Sequence, residues 1–217
     1  VIASVFAMSD LTSAIGGAVV LAALPLLAIA ATSFIKIAVV LAILRQALGA
    51  PSVPPTSVLT ALAAVLSYFV MAPVASDVLL ALATLPQAGT DALGLGTARS
   101  TLDVAVPPIV EFLRANTPDD EVAFFCDLAG TSCGPEPSLR FLLPAFVLTE
   151  IGKAFMIGCL AYLPFLVVDL LVSASLLAMG MTSLSPHSVA LPLKLLLFVA
   201  VDGWRLLFSA LLVGYEV

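Results

Sequence analysis

The sequence predicts an all-α membrane protein: about four long, kinked hydrophobic helical segments in two hairpins, with an extramembranous loop between them. Of its 217 residues, 62% are hydrophobic and 10% charged, where a soluble domain is nearer half and a quarter. Several apolar runs exceed the ~18 residues that mark a membrane span. The runs are continuous rather than alternating, which suits helices and not barrel strands. The net charge of −6 lacks the basic signature of a nucleic-acid partner.

Residues 1–12 are mildly polar, and the chain starts at Val1, so a processed start is left open. The first apolar run goes from about Ile15 to Leu44, broken by Pro25 and Thr32-Ser33 and carrying Lys36. As a helix it would reach ~45 Å, more than the ~30 Å hydrocarbon core, so it must tilt, kink or protrude. Pro25 removes a backbone donor and is the expected kink. Lys36, near one end, can snorkel. Gly49 can end this helix, and Pro51, Pro54 and Pro55 forbid its continuation. Thr56 or Ser57 can cap the next helix, which runs to about Leu85 through Pro73 and Asp77. Residues 1–85 thus hold the first helical hairpin.

Residues 86–140 carry eight carboxylates and three arginines, nearly the whole net charge. They form an acidic extramembranous loop, too long for a simple turn. One short amphipathic helix is expected after Pro107-Pro108, with Ile109, Phe112 and Leu113 on one side. A second follows Asp119, its cap, with Val122, Phe125 and Leu128 spaced by three. Residues 141–217 form the second hairpin. Its first run, Phe141 to about Met179, approaches ~60 Å as one helix, so Pro164 is expected to divide it. A turn at 179–187 precedes a last helix from about Val189 to Val213. Basic residues near span ends, Lys36, Arg45 and Lys194, place the turns near 46–55 and 180–188 inside. Both termini and the acidic loop then lie outside.

Charge inside apolar runs costs ~2.5–3.5 kcal/mol per residue on insertion scales, so it usually faces protein or water. Lys36, Lys153, Lys194 and Arg205 stand nearly balanced against Glu150, Asp169 and Asp202. Glu150 and Lys153 can pair at i,i+3, as can Asp202 and Arg205. Lys194 and Asp202 lie within about 80° of one another on one continuous helix. An ion or proton relay is one reading, with Asp169 the nearest to an unpaired mid-span carboxylate. Pairing between helices or subunits is the other, and the local balance favours it. A third is that parts of these overlong segments leave the lipid, buried in a protein assembly.

Cys126 and Cys133 can close a small disulfide loop in an oxidising compartment, or be two unrelated thiols; Cys159 sits in an apolar run. With one histidine, His187, and no Cys-x-x-Cys, no metal or cofactor is expected. There is no phosphate loop, Gly-x-Ser-x-Gly or zinc dyad, and Pro186-His187-Ser188 has no visible partner, so no enzyme is expected.

Several motifs in one order resemble a known family. They are Thr32-Ser-Phe-Ile-Lys-Ile37, Leu44-Arg-Gln-Ala-Leu-Gly49, Val53-Pro-Pro55 and Phe69-Val-Met-Ala-Pro73. The second half continues with Leu142-Leu-Pro-Ala-Phe146, Glu150-Ile-Gly-Lys-Ala-Phe155 and Leu163-Pro-Phe-Leu-Val-Val-Asp169. Leu191-Pro-Leu-Lys-Leu-Leu-Leu-Phe-Val-Ala-Val-Asp-Gly-Trp204 closes the series. Together they are similar to the type III secretion export-apparatus subunit called FliP in flagella and SctR in injectisomes. The resemblance implies a pore-forming subunit of the export gate in the bacterial inner membrane, passing unfolded polypeptides. It implies a ring of five copies, two other small export-gate membrane subunits and the larger export-gate subunit as partners. It also implies a methionine gasket, here Met179, Gly180 and Met181. Because Thr182-Ser183-Leu184 follows instead of further methionines, Leu184 is expected to share the seal. Lys36 and Leu193 lean toward the injectisome branch. A proton-coupled secondary transporter is the alternative, and a scaffold without its own pore a third.

Overall fold

The computed structural model describes residues 26–27, 29–50, 52–83, 95–131, 134 and 137–215. Pro25 and the stretch before it, Pro51, Asp91 and Cys133 lie outside the described residues, with the expectations that fell on them. Among the described residues there are seven helices and no strands. They are α1 (Phe34–Ala47), α2 (Thr56–Ala83), α3 (Leu95–Asn116), α4 (Asp119–Leu128), α5 (Leu139–Ala178), α6 (Pro186–Ala200) and α7 (Gly203–Leu212). Two of them, α2 and α5, are long and apolar enough to cross a membrane, and α6 with α7 makes a third if the bent pair is one span.

Helix α1 is the hub. Ile37, Val40, Leu41, Leu44 and Ala47 recur at three- and four-residue spacing and are all buried, the stripe of a core helix. It packs on α2 and most extensively on α5. The α5 crossing is close because Gly158 has no Cβ: one built there would lie 2.5 Å from Ile43 Cδ1. Leu59, Ala63, Ala154, Phe165, Phe198, Leu207 and Leu211 complete this core. A second core joins Val70 and Val74 of α2, Phe112 and Leu113 of α3, Val122 and Cys126 of α4, and Leu142, Ala145 and Phe146 of α5. The acidic segment is therefore folded onto the start of α5 rather than loose.

Three expectations about helix bounds before the last run need correction. Pro164 does not divide the long run: α5 is one helix of 40 residues with Pro144 and Pro164 inside it. Neighbouring helices and local adjustments re-satisfy the backbone groups that a proline frees in an apolar setting. The helix expected after Pro107-Pro108 instead starts at Leu95 and runs through both prolines. Asp119 is not the cap of α4 but its first residue, after Pro118. There, with Asp120 and Glu121, it faces the positive end of the helix dipole.

The last run is not one helix. It breaks at Val201-Asp202, where α6 and α7 bend by 65°. Asp202 has φ 52°, the left-handed conformation that Asp tolerates better than most residues. Its carbonyl accepts from the Arg205 and Leu206 amides at 3.0 and 3.2 Å. Gly203 is required by packing, since a Cβ there would overlap the Phe198 ring. That ring cannot easily give way, being held by Phe165 and, edge-on at 5.1 Å, by Trp204. Gly203→Ala is thus expected to cost about 1–3 kcal/mol, as overpacking does. Thermal unfolding in detergent should show the loss, and adding Phe198→Leu should restore most of it.

Candidate functional site

The charges of the apolar runs gather at two places. The first centres on Glu150, wholly buried on α5. Lys36 of α1, also buried, lies 3.6 Å from its Oε2, and Lys153, one turn along α5, lies 3.3 Å from Oε1. The Tyr215 hydroxyl donates to Oε2, and the Lys36 ammonium stands 3.3 Å from the centre of the Tyr215 ring. Lys153 also donates to the Asn116 carbonyl at 3.2 Å, at the end of α3. Nearby, Ser33 donates to Ser67 at 3.1 Å, joining the start of α1 to α2. In a low-dielectric interior a carboxylate is tolerated when cations and donors fill its lone pairs, as here.

The second place centres on Lys194, buried on α6. Its ammonium donates to Asp169 Oδ2 of α5 at 2.7 Å and to the Ala47 carbonyl at 2.9 Å. Ala47 ends α1, where carbonyls lack intrahelical partners and the dipole favours a cation. One side chain therefore fastens α6 to α5 and to the end of α1. The Lys194–Asp202 and Asp202–Arg205 pairings anticipated from spacing do not form. Among the described residues neither Asp202 nor Arg205 takes part in a salt bridge. The reason is the elbow: both spacings assumed an unbroken helix, and Asp202 lies outside α6 and α7. Asp169, the candidate relay carboxylate, is ion-paired.

Between these anchored helices lies the turn. Met179 caps α5, and Gly180 follows at φ +70°. The Met181 amide reaches the Leu176 carbonyl at 2.9 Å and the Gly180 amide the Leu177 carbonyl at 3.0 Å. This is a Schellman ending, for which glycine suits the left-handed position. Met179, Met181 and Leu184 are 61%, 46% and 49% exposed, an apolar tip on a fixed backbone. The turn after α1 lies beside it: a Cβ on Gly49 (φ +78°) would meet His187 Cε1 at 2.8 Å. The two turns therefore share one end of the fold.

Cys126 is disulfide-bonded and Cys159 is free; Cys133 lies outside the described residues. Tyr215, Asn116 and the Ala47 carbonyl were not anticipated. Tyr215 had only a weak signal, an aromatic with a polar tip next to an apolar helix end. The two carbonyls had none.

The chain matches the FliP family over residues 18–211. It is 41% identical to the hypersensitivity response secretion protein HrcR of Ralstonia nicotianae over 95% of this chain and 98% of that one. It is 41% identical to the Yop proteins translocation protein R of Yersinia pestis over 88% and 90% of the two chains. With the flagellar biosynthetic protein FliP of Cereibacter sphaeroides it shares 42% identity over 90% and 64%. A helical fold, the motif order and these relatives agree: the chain belongs to the FliP family, whose members serve protein secretion and flagellar assembly as structural components and not as enzymes.

Proposed function

We propose that this protein is a pore-forming subunit of a type III export gate, passing unfolded polypeptides across the bacterial inner membrane. The observation that carries this reading is the turn at Met179–Leu184. Three large apolar side chains on it stand about half exposed, while the helices on both sides are fastened through Lys194. Exposed apolar groups at a rigid tip have a use where copies meet around an axis. Methionine and leucine there close without a fixed shape and yield to passing chains of varied sequence. An ion-specific path would instead need ordered polar groups.

In this reading four segments cross or enter the membrane region. Five copies form the ring, with the two small gate subunits and the larger one as partners. The 86–140 segment faces the periplasm, where a Cys126–Cys133 disulfide is stable. The turns around Gly49 and Gly180 face the opposite side. Lys36 and Leu193 support the injectisome branch.

Met179→Ala with Met181→Ala is expected to let small ions and dyes leak through the membrane of cells expressing the assembled gate. The yield of the detergent-extracted oligomer should be unchanged. Both residues lie in the turn outside the helices, so the fold does not depend on them. An oligomer that forms normally and stays tight would remove the gasket from the proposal.

A further inference from the structure

The C-terminal end of the chain returns to the level of Glu150. α7 ends at Leu212, and beyond it the Val213 amide reaches the Ser209 carbonyl at 3.0 Å and the Tyr215 amide the Leu212 carbonyl at 3.4 Å. The Tyr215 side chain touches three elements at once. Its hydroxyl donates to Glu150 of α5, and its ring lies against the Lys36 ammonium of α1. The ring also stacks on Phe112 of α3, with centroids 6.1 Å apart and planes 24° from parallel. Phe112 meets Phe146 of α5 edge-on at 5.8 Å, so it has an aromatic neighbour on α5 as well as at the chain's end. Leu212 and Tyr215 both pack against the core that joins α3 and α4 to α5.

We infer that Tyr215 is a clasp by which the segment after α7 holds the α3–α4 pair against α1 and α5. Tyrosine suits the place because its ring can stack and receive a cation while its hydroxyl completes the carboxylate's partners. The clasp also registers the α6–α7 arm. That arm is fastened near one end by Lys194, bent at Asp202, and fastened at the other by Tyr215. The inference does not depend on what the protein exports.

Hydrogen exchange on the purified full chain in detergent tests it. Tyr215→Leu should lower amide protection in residues 106–128 by about tenfold or more, as loss of a local tie does. Protection in the first half of α2 should be unchanged. Tyr215→Phe keeps the stack and the cation contact, so its loss there should be clearly smaller. No change at residues 106–128, or an equal loss over all helices, would overturn the clasp. If Tyr215→Leu yields no folded protein, Tyr215→His decides, because it keeps a smaller ring in place: its loss must again be confined to α3 and α4, or the inference fails.

Discussion

Glu150→Gln is expected to destabilise the protein by roughly 3–5 kcal/mol, the range for removing one partner of a buried ion pair. Glu150 is 0% and Lys36 1% exposed, so the orphaned ammonium of Lys36 has no water to turn to. Its remaining neighbour, the Tyr215 ring, cannot neutralise it. Lys153, 35% exposed, can turn to solvent and suffers less. For a chain of this size the loss corresponds to a melting point lower by roughly 6–20 °C, measured by thermal unfolding in detergent. The double substitution Lys36→Met with Glu150→Leu should recover much of it, since a buried pair replaced by apolar groups is often neutral. Additive losses in that double variant would mean that the two side chains act separately.

Asp169→Asn is expected to be worse than Lys194→Met, although both break the same bond. Lys194 is 3% exposed and Asp169 33%. With Asp169 neutralised, a buried ammonium loses its counter-ion and keeps only neutral acceptors, the Ala47 carbonyl and the new amide oxygen, a cost of about 3–5 kcal/mol. With Lys194 removed, Asp169 can be solvated, and what remains orphaned is the Ala47 carbonyl, about 1–3 kcal/mol. The same unfolding measurement ranks the two. Equal losses, or the reverse order, would show that the burial of Lys194 is not what makes the contact matter.

The helical character and the positions of most breaks were legible because they depend on local chemistry. Gly49, Gly180 and the prolines around position 54 end or precede helices through backbone constraints that each residue carries with it. The Glu150–Lys153 contact was legible for the same reason, since one helical turn fixes it. Lys36–Glu150 and Lys194–Asp169 were not, because they join different helices and spacing rules see only one. Two misreadings came from weighing prolines too heavily. Pro164 sits inside a helix supported by α1 and α6, so its missing donor does not end it. The real break, at Val201-Asp202 just before Gly203, contains no proline. Its Asp202 does form an Asp-Gly pair with Gly203, a turn signal that the surrounding apolar residues overshadowed. The i,i+3 spacing of Asp202 and Arg205 pairs them only on a helix that continues through that signal. The exposed tip at Met179, Met181 and Leu184 was readable as a turn, but that these side chains stay uncovered in one chain needed the fold.

The 40 residues of α5 form a rod of about 60 Å, roughly twice the hydrocarbon thickness of a bilayer. Leu139, Leu148, Phe155, Leu163, Leu170 and Leu177 are exposed along nearly its whole length. A lone copy cannot immerse all of that surface in lipid. Its lifetime is therefore a race: either it is covered by other chains soon after synthesis, or its bare apolar surface leads to aggregation. Supply ratio then becomes a structural variable, because a copy made in excess of whatever covers it has no stable place to wait. When this chain is overexpressed alone, part of it should aggregate or be degraded, and the share recovered folded in mild detergent should rise when covering chains are made alongside it.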